Sequence, residues 1–203
     1  MSQFTYETEN TNSKLETYEW DNVWIEQTEN KSKKRVLYIG DSISCGTRNI
    51  ATKVSGEEYL FDGFGSSKAL DNPFLYDSIR LFVSQLTGVE TVLFNNGLHG
   101  WHLDDNTEYR EFYENAIKFM LEEFDGKKIF LVLTTSVADA EREERVKARN
   151  AVALSLAEKY NLPVIDLYTA SVDAVEFRLD DGVHFSGAGY HKLAEKILEE
   201  ISK

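Results

Sequence analysis

Short apolar runs alternate along the chain with longer amphipathic stretches. Residues 35–39, Arg-Val-Leu-Tyr-Ile, carry four apolar side chains in a row with no polar alternation, the pattern of a strand covered on both faces. Residues 91–94, 128–134 and 163–167 repeat it, and residues 58–61 form a shorter version that runs into the turn-rich stretch 62–67. Between these runs the period changes from continuous to helical. Residues 42–53 form a short helix of mixed propensity. Asn72 and Pro73 read as cap and first residue of a helix whose face is Leu75, Ile79, residues 81–83 and Leu86, closed by Gly88. From Thr107 onward, Tyr109, Phe112, Tyr113, Ala116, Ile117, Met120, Leu121 and Phe124 recur at three and four, with Glu108 and Glu111 in the first turn. Residues 141–160 and 187–201 complete the set, the last helix presenting Leu193, Ala194, Ile197, Leu198 and Ile201 after a Ser186 cap.

Five strands alternating with helices, without repeat or long linker, require right-handed crossovers and a mostly parallel sheet. The pattern predicts an α/β fold: a three-layer α/β/α sandwich of flavodoxin-like organisation, with five parallel strands in the order 2-1-3-4-5. The domain spans residues 31–203. Ahead of it, residues 1–30 are polar yet hold Phe4, Tyr6, Tyr18, Trp20 and Trp24. A disordered tail rarely spends that many aromatics. This extension is expected to pack on the domain or on a partner subunit, where it would build a homo-oligomer or shape the pocket.

Charge narrows the partners. The formal net charge of −13 argues against a nucleic-acid surface, which needs clustered Lys and Arg. The basic cluster at 31–35 reads as a solvated lead-in to the first strand. No apolar run approaches the roughly 18 residues of a membrane span. The start shows neither the basic nor the apolar region of a signal peptide, and Cys45 is the single cysteine, so a cytoplasmic location is expected.

The chemistry gathers in the loops after the strands. Ser42 follows Gly40 and Asp41 at the carboxyl end of the first strand, where its hydroxyl would stand near a helix N-terminus. Such a residue is either a nucleophile or a plain helix cap. Asp181 and His184, three apart before the last helix, let a carboxylate reach Nδ1 of the imidazole while Nε2 faces outward. That pair is either a base with its orienter or another cap.

Taken together, Gly40-Asp41-Ser42-Ile43, the glycine loop after the second strand, Gly97-Leu98-His99 after the third, and Asp181 with His184 resemble the SGNH, or GDSL-like, hydrolases over residues 33–202. The resemblance implies a cofactor-free serine esterase acting on a small-molecule or carbohydrate ester. Ser42 would be the nucleophile, His184 the base and Asp181 its orienter. The backbone N–H of Gly63, or of Gly65, would hold the oxyanion. The family's third block normally ends in Asn. Here His99 stands in its place as the expected side-chain donor, with Asn95 or Asn96 as the alternative. The absence of a long apolar segment favours short acyl groups, acetyl esters of a sugar above all. Two other readings compete: a zinc hydrolase built on His99, His102, Asp181 and His184, and a catalytically impaired ligand-binding relative. Trp101 and His102 could line the pocket, Cys45 reads as a small buried residue and His191 as exposed. Arg145 and Arg149 receive no role.

Overall fold

The computed structural model describes residues 13–103 and 106–203; the expectations placed on Phe4 and Tyr6 lie outside them. Thirteen elements follow in order: β1 (Asp21–Trp24), β2 (Lys34–Gly40), α1 (Ser42–Val54), β3 (Tyr59–Ser66), α2 (Leu75–Val83), β4 (Val89–Phe94), α3 (Asn106–Glu123), β5 (Lys128–Val132), α4 (Ala140–Tyr160), β6 (Val164–Ile165), α5 (Leu167–Val172), a 3-10 turn (Val175–Phe177) and α6 (Gly187–Ile201). The sheet has six strands in the order β1-β3-β2-β4-β5-β6. Its five parallel strands stand in the expected order. The sixth, β1, runs antiparallel along the outer edge of β3 and comes from the N-terminal extension.

Strand alternation sorts the core into two layers. On one face, Leu37, Ile39, Val92, Phe94 and Leu131 pack with side chains of α2, α3 and α4, including Ile79, Tyr113, Ile117 and Leu156. On the other, Val36, Tyr38, Leu93, Phe130 and Val132 pack against Ile43 and Ala51 of α1 and Leu193, Ala194 and Ile197 of α6. Covering both faces is what makes continuous apolar strands stable in water.

Three elements depart from the pattern. Residues 62–66 continue β3 instead of turning, because β1 supplies a second ladder for their backbone groups. Asn72 does not cap α2: its side-chain oxygen accepts the N–H of Phe74 in a local turn, Phe74 is the N-cap with no side-chain capping bond, and the helix starts at Leu75, two residues beyond Pro73. The short α5 was not anticipated: six residues are too few to show a period, and the Asp166 cap alone marks its start.

One buried ion pair pins the extension to the base of the sheet. Arg35 donates through Nε and Nη2 to both oxygens of Asp62, at 2.9 and 2.6 Å, and Nη2 also reaches the Glu26 carbonyl. The Glu26 N–H donates in turn to Asp62. Both ion-pair side chains are buried, so each charge depends on the other for compensation.

Candidate active site

β2 ends at Gly40, and the chain turns at once into α1. Asp41 is the N-cap of that helix, its carboxylate accepting the Ile43 N–H at 2.9 Å. Capping therefore falls to Asp41, and the Ser42 hydroxyl is directed elsewhere. It lies 2.8 Å from Nε2 of His184. Nδ1 of His184 is 2.9 Å from Oδ2 of Asp181, whose other oxygen accepts the backbone N–H groups of Val183 and His184, each at 2.9 Å. Burial by itself would raise the Asp181 carboxyl, but those two N–H groups and the imidazole outweigh it and hold the group below the usual carboxylate range. An ionised carboxylate only accepts, so Nδ1 of His184 carries a proton, and in a neutral imidazole Nε2 is then the acceptor that faces the serine.

The structure separates the two glycines considered for the oxyanion. Gly63 is paired with Tyr38 on one side and Trp24 on the other. A Cβ there would fall 2.3 Å from Cδ and Nη1 of Arg48, so its Cα supports that side chain and not Ser42. Gly65 stands against the start of α1, where a Cβ would meet Cys45 Sγ at 2.1 Å and the Asp41 carbonyl at 3.3 Å. Ser67 N–H donates to the Trp20 carbonyl at 3.1 Å. In a regular antiparallel ladder this phase makes Asn22–Gly65 and Trp24–Gly63 the hydrogen-bonding pairs. The ladder with β1 thus claims the N–H of Gly63, and that of Gly65 as well, a correction to the backbone donor expected from sequence.

The loop after β4 is tightly held. Gly97 has φ of +66°, and a Cβ there would lie 1.8 Å from Oδ2 of Asp41, so glycine is required for conformation and for space. Arg149, buried in α4, donates to the carbonyls of Gly97, His99 and Gly100, and Arg145 donates to those of Gly100 and Trp101. These two arginines, four residues apart on one helix face, are the clamp to which the sequence reading gave no role. His99 is buried, with Nδ1 3.7 Å from Glu16 and its ring edge-on to Trp20 at 5.9 Å. Asn95 donates to Val132 and Thr134 at the end of β5, and Asn96 to the Lys68 carbonyl.

A cleft of about 330 Å³ opens over Ser42, lined by Trp20, Asp21, Asn22, Ser42, Cys45 and His184. Half of that wall comes from the N-terminal extension, whose surplus of aromatics was the only sequence signal of its role. His99 is absent from the lining; Trp20 stands there, with His99 behind it. Burial raises the Cys45 thiol above its usual value despite the nearby Arg48, which suits a packed side chain and not a thiolate. His102 pairs with Asp71 at 3.0 Å. With His99 beside Glu16 and His184 beside Asp181, the histidines diverge onto separate carboxylates, and among the described residues no three His, Cys, Asp or Glu side chains gather as a metal site. Of the four residues of the zinc reading, Asp181 and His184 stay together, while His99 and His102 face other carboxylates.

No protein-family model matches the sequence, and no curated protein matches it. Solved structures do match. A lipase/acylhydrolase from Enterococcus faecalis superposes with a TM-score of 0.64 at 23% identity, covering 83% of this chain and 95% of that one. The chain has the fold of the SGNH hydrolases. A member of the lipolytic G-D-S-L family from Veillonella parvula gives 0.64 at 18% identity over 84% and 99% of the two chains. Axe2, an acetylxylan esterase from Geobacillus stearothermophilus, gives 0.63 at 18% over 84% and 94%. In this SGNH fold the Ser42–His184–Asp181 line sits at the carboxyl end of β2, where open α/β sheets place their ligands.

Proposed function

We propose that this chain is a serine-dependent carboxylic ester hydrolase. The observation that carries the reading is the continuous line from Ser42 Oγ through His184 to Asp181, at 2.8 and 2.9 Å. Ser42 attacks the ester carbonyl while its proton passes to Nε2 of His184. The tetrahedral oxyanion forms at the N-terminus of α1, where the helix dipole and the Ser42 N–H favour negative charge. His184 then returns the proton to the departing alkoxide, the C–O bond to the alcohol breaks, and an acyl-serine remains. Water, deprotonated by the same imidazole, releases the carboxylic acid and restores Ser42. Asp181 holds the imidazole in the tautomer that this exchange needs.

The substrates that suit the cleft are short acyl esters, acetyl groups on a small molecule or a carbohydrate; two of the structural neighbours are acetylxylan esterases. His99, one layer behind the cleft, supports the Trp20 wall in this reading. The test is covalent labelling with a fluorophosphonate together with hydrolysis of p-nitrophenyl acetate. The wild-type chain should label and turn over, and Ser42→Ala should do neither. Labelling that persists in Ser42→Ala would sink the assignment, and absence of both activities in the wild type would leave a ligand-binding protein.

A further inference from the structure

We infer that Trp20, on the N-terminal arm, is the residue that sets acyl-chain length, by closing the end of the cleft into which the acyl group points. The inference rests on the esterase reading above and adds the residue that selects the substrate. Its geometry begins with proton transfer. His184 Nε2 must deliver its proton to the leaving oxygen, so the alcohol side of the ester lies towards His184. The acyl substituent on the same carbonyl carbon points away from that nitrogen, towards the rest of the lining: Trp20, Asp21, Asn22 and Cys45. Cys45 is packed against the Cα of Gly65 and is fixed by α1. Asp21 is turned to Lys68 and Ser66, at 2.7 Å from each, and Asn22 to Arg48 at 2.6 Å. Trp20 is thereby left as the large apolar side chain on that side.

The arm that carries Trp20 is built into the fold and does not merely lie on it. Its backbone exchanges hydrogen bonds with Ser67, at 2.9 Å to the hydroxyl and 3.1 Å from the N–H. Glu19 accepts from Asn72, and Glu16 accepts the Gly100 N–H at 2.9 Å. Among the described residues the indole has no such tether: its Nε1 is buried without a hydrogen-bond partner there, and packing with the edge contact on His99 places the ring. A cleft of about 330 Å³ is at the small end of ligand sites and must hold both halves of the ester. Removing the indole lengthens only the acyl side.

The test is an acyl series of p-nitrophenyl esters, acetate to octanoate, on the full chain and on Trp20→Phe, Trp20→Leu and Trp20→Ala, with fluorophosphonate labelling of each. Each methylene newly buried should gain about fourfold in kcat/KM. The butyrate-to-acetate ratio should therefore rise tenfold or more in Trp20→Ala and less in Trp20→Leu. It should stay within twofold of wild type in Trp20→Phe, which keeps the ring and discards the unpartnered donor. The leucine variant keeps an apolar anchor on the arm and reads the effect even where alanine frees the arm. If the variants label as fast as wild type and the ratio does not move, Trp20 is not the selector. Wild type that fails to label would overturn the esterase reading itself.

Discussion

Replacing Asp181 by Asn tests the proposed site most sharply, because the structure dictates which way the new amide must face. Oδ1 of Asp181 accepts two backbone N–H groups and Oδ2 accepts Nδ1 of His184. An amide that keeps its oxygen on Val183 and His184 turns its NH2 towards the imidazole. Two donors then meet unless the proton moves from Nδ1 to Nε2, and a protonated Nε2 cannot take the proton of Ser42. The opposite orientation preserves the tautomer but gives up both backbone bonds, at about 0.5–1.5 kcal/mol each. The first orientation should win, with a fall in kcat of roughly 10⁴, or about 5 kcal/mol of barrier, as for wrong-tautomer variants of other triads. Because the Asp181 side chain is 44% exposed, water can reach Nδ1 once the carboxylate is removed altogether. Asp181→Ala should therefore lose less activity than the near-isosteric Asn. The assays are kcat on p-nitrophenyl acetate and the labelling rate of Ser42. An Asn variant within tenfold of wild type, or one more active than Ala, would refute the tautomer argument.

Three further outcomes follow from the packing. Gly97→Ala should lose roughly 2–5 kcal/mol in urea denaturation, combining a left-handed backbone with a Cβ driven into the Asp41 carboxylate; a loss under 1 kcal/mol would mean the loop relaxes freely. Arg35→Met should cost about 3–5 kcal/mol by leaving Asp62 buried and unpaired, and Arg35→Met with Asp62→Leu should recover much of it. Glu114 is held down to about 2 by hydrogen bonds from Lys159 and Tyr160, tying α3 to α4. A lowered carboxylate stabilises above its unfolded value and loses that contribution as pH falls through the folded one. The Tm gap between wild type and Glu114→Gln should accordingly be full above about pH 4.5, from the unfolded value, and close towards pH 2; a gap that does not depend on pH would contradict the assignment.

The sandwich was legible because each signal for it is local. Residues 35–39 show no polar alternation, the face of α3 repeats at three and four, and the order of the five parallel strands matches the pattern. Ser42, Asp181 and His184 were legible for a related reason: each lies in a short loop beside a strand end or helix start, so the sheet brings them together once it forms. The proposed oxyanion side was not legible. Whether Gly63 and Gly65 offer their N–H groups depends on a strand some 40 residues away, and nothing in 62–67 reveals that β1 will pair there. The same pairing converts an expected turn into strand and sets Trp20 in the cleft with His99 behind it.

The sequence by itself determined the layers, the parallel order and the placing of Ser42, Asp181 and His184 in short loops at strand ends and helix starts, because hydrophobic period and loop placement are properties of neighbouring residues. Only the tertiary structure decided where the extension goes, which backbone donors remain and what the cleft can hold. Those depend on an edge strand whose hydrogen bonds are made by backbone groups, and every residue but proline carries the same ones.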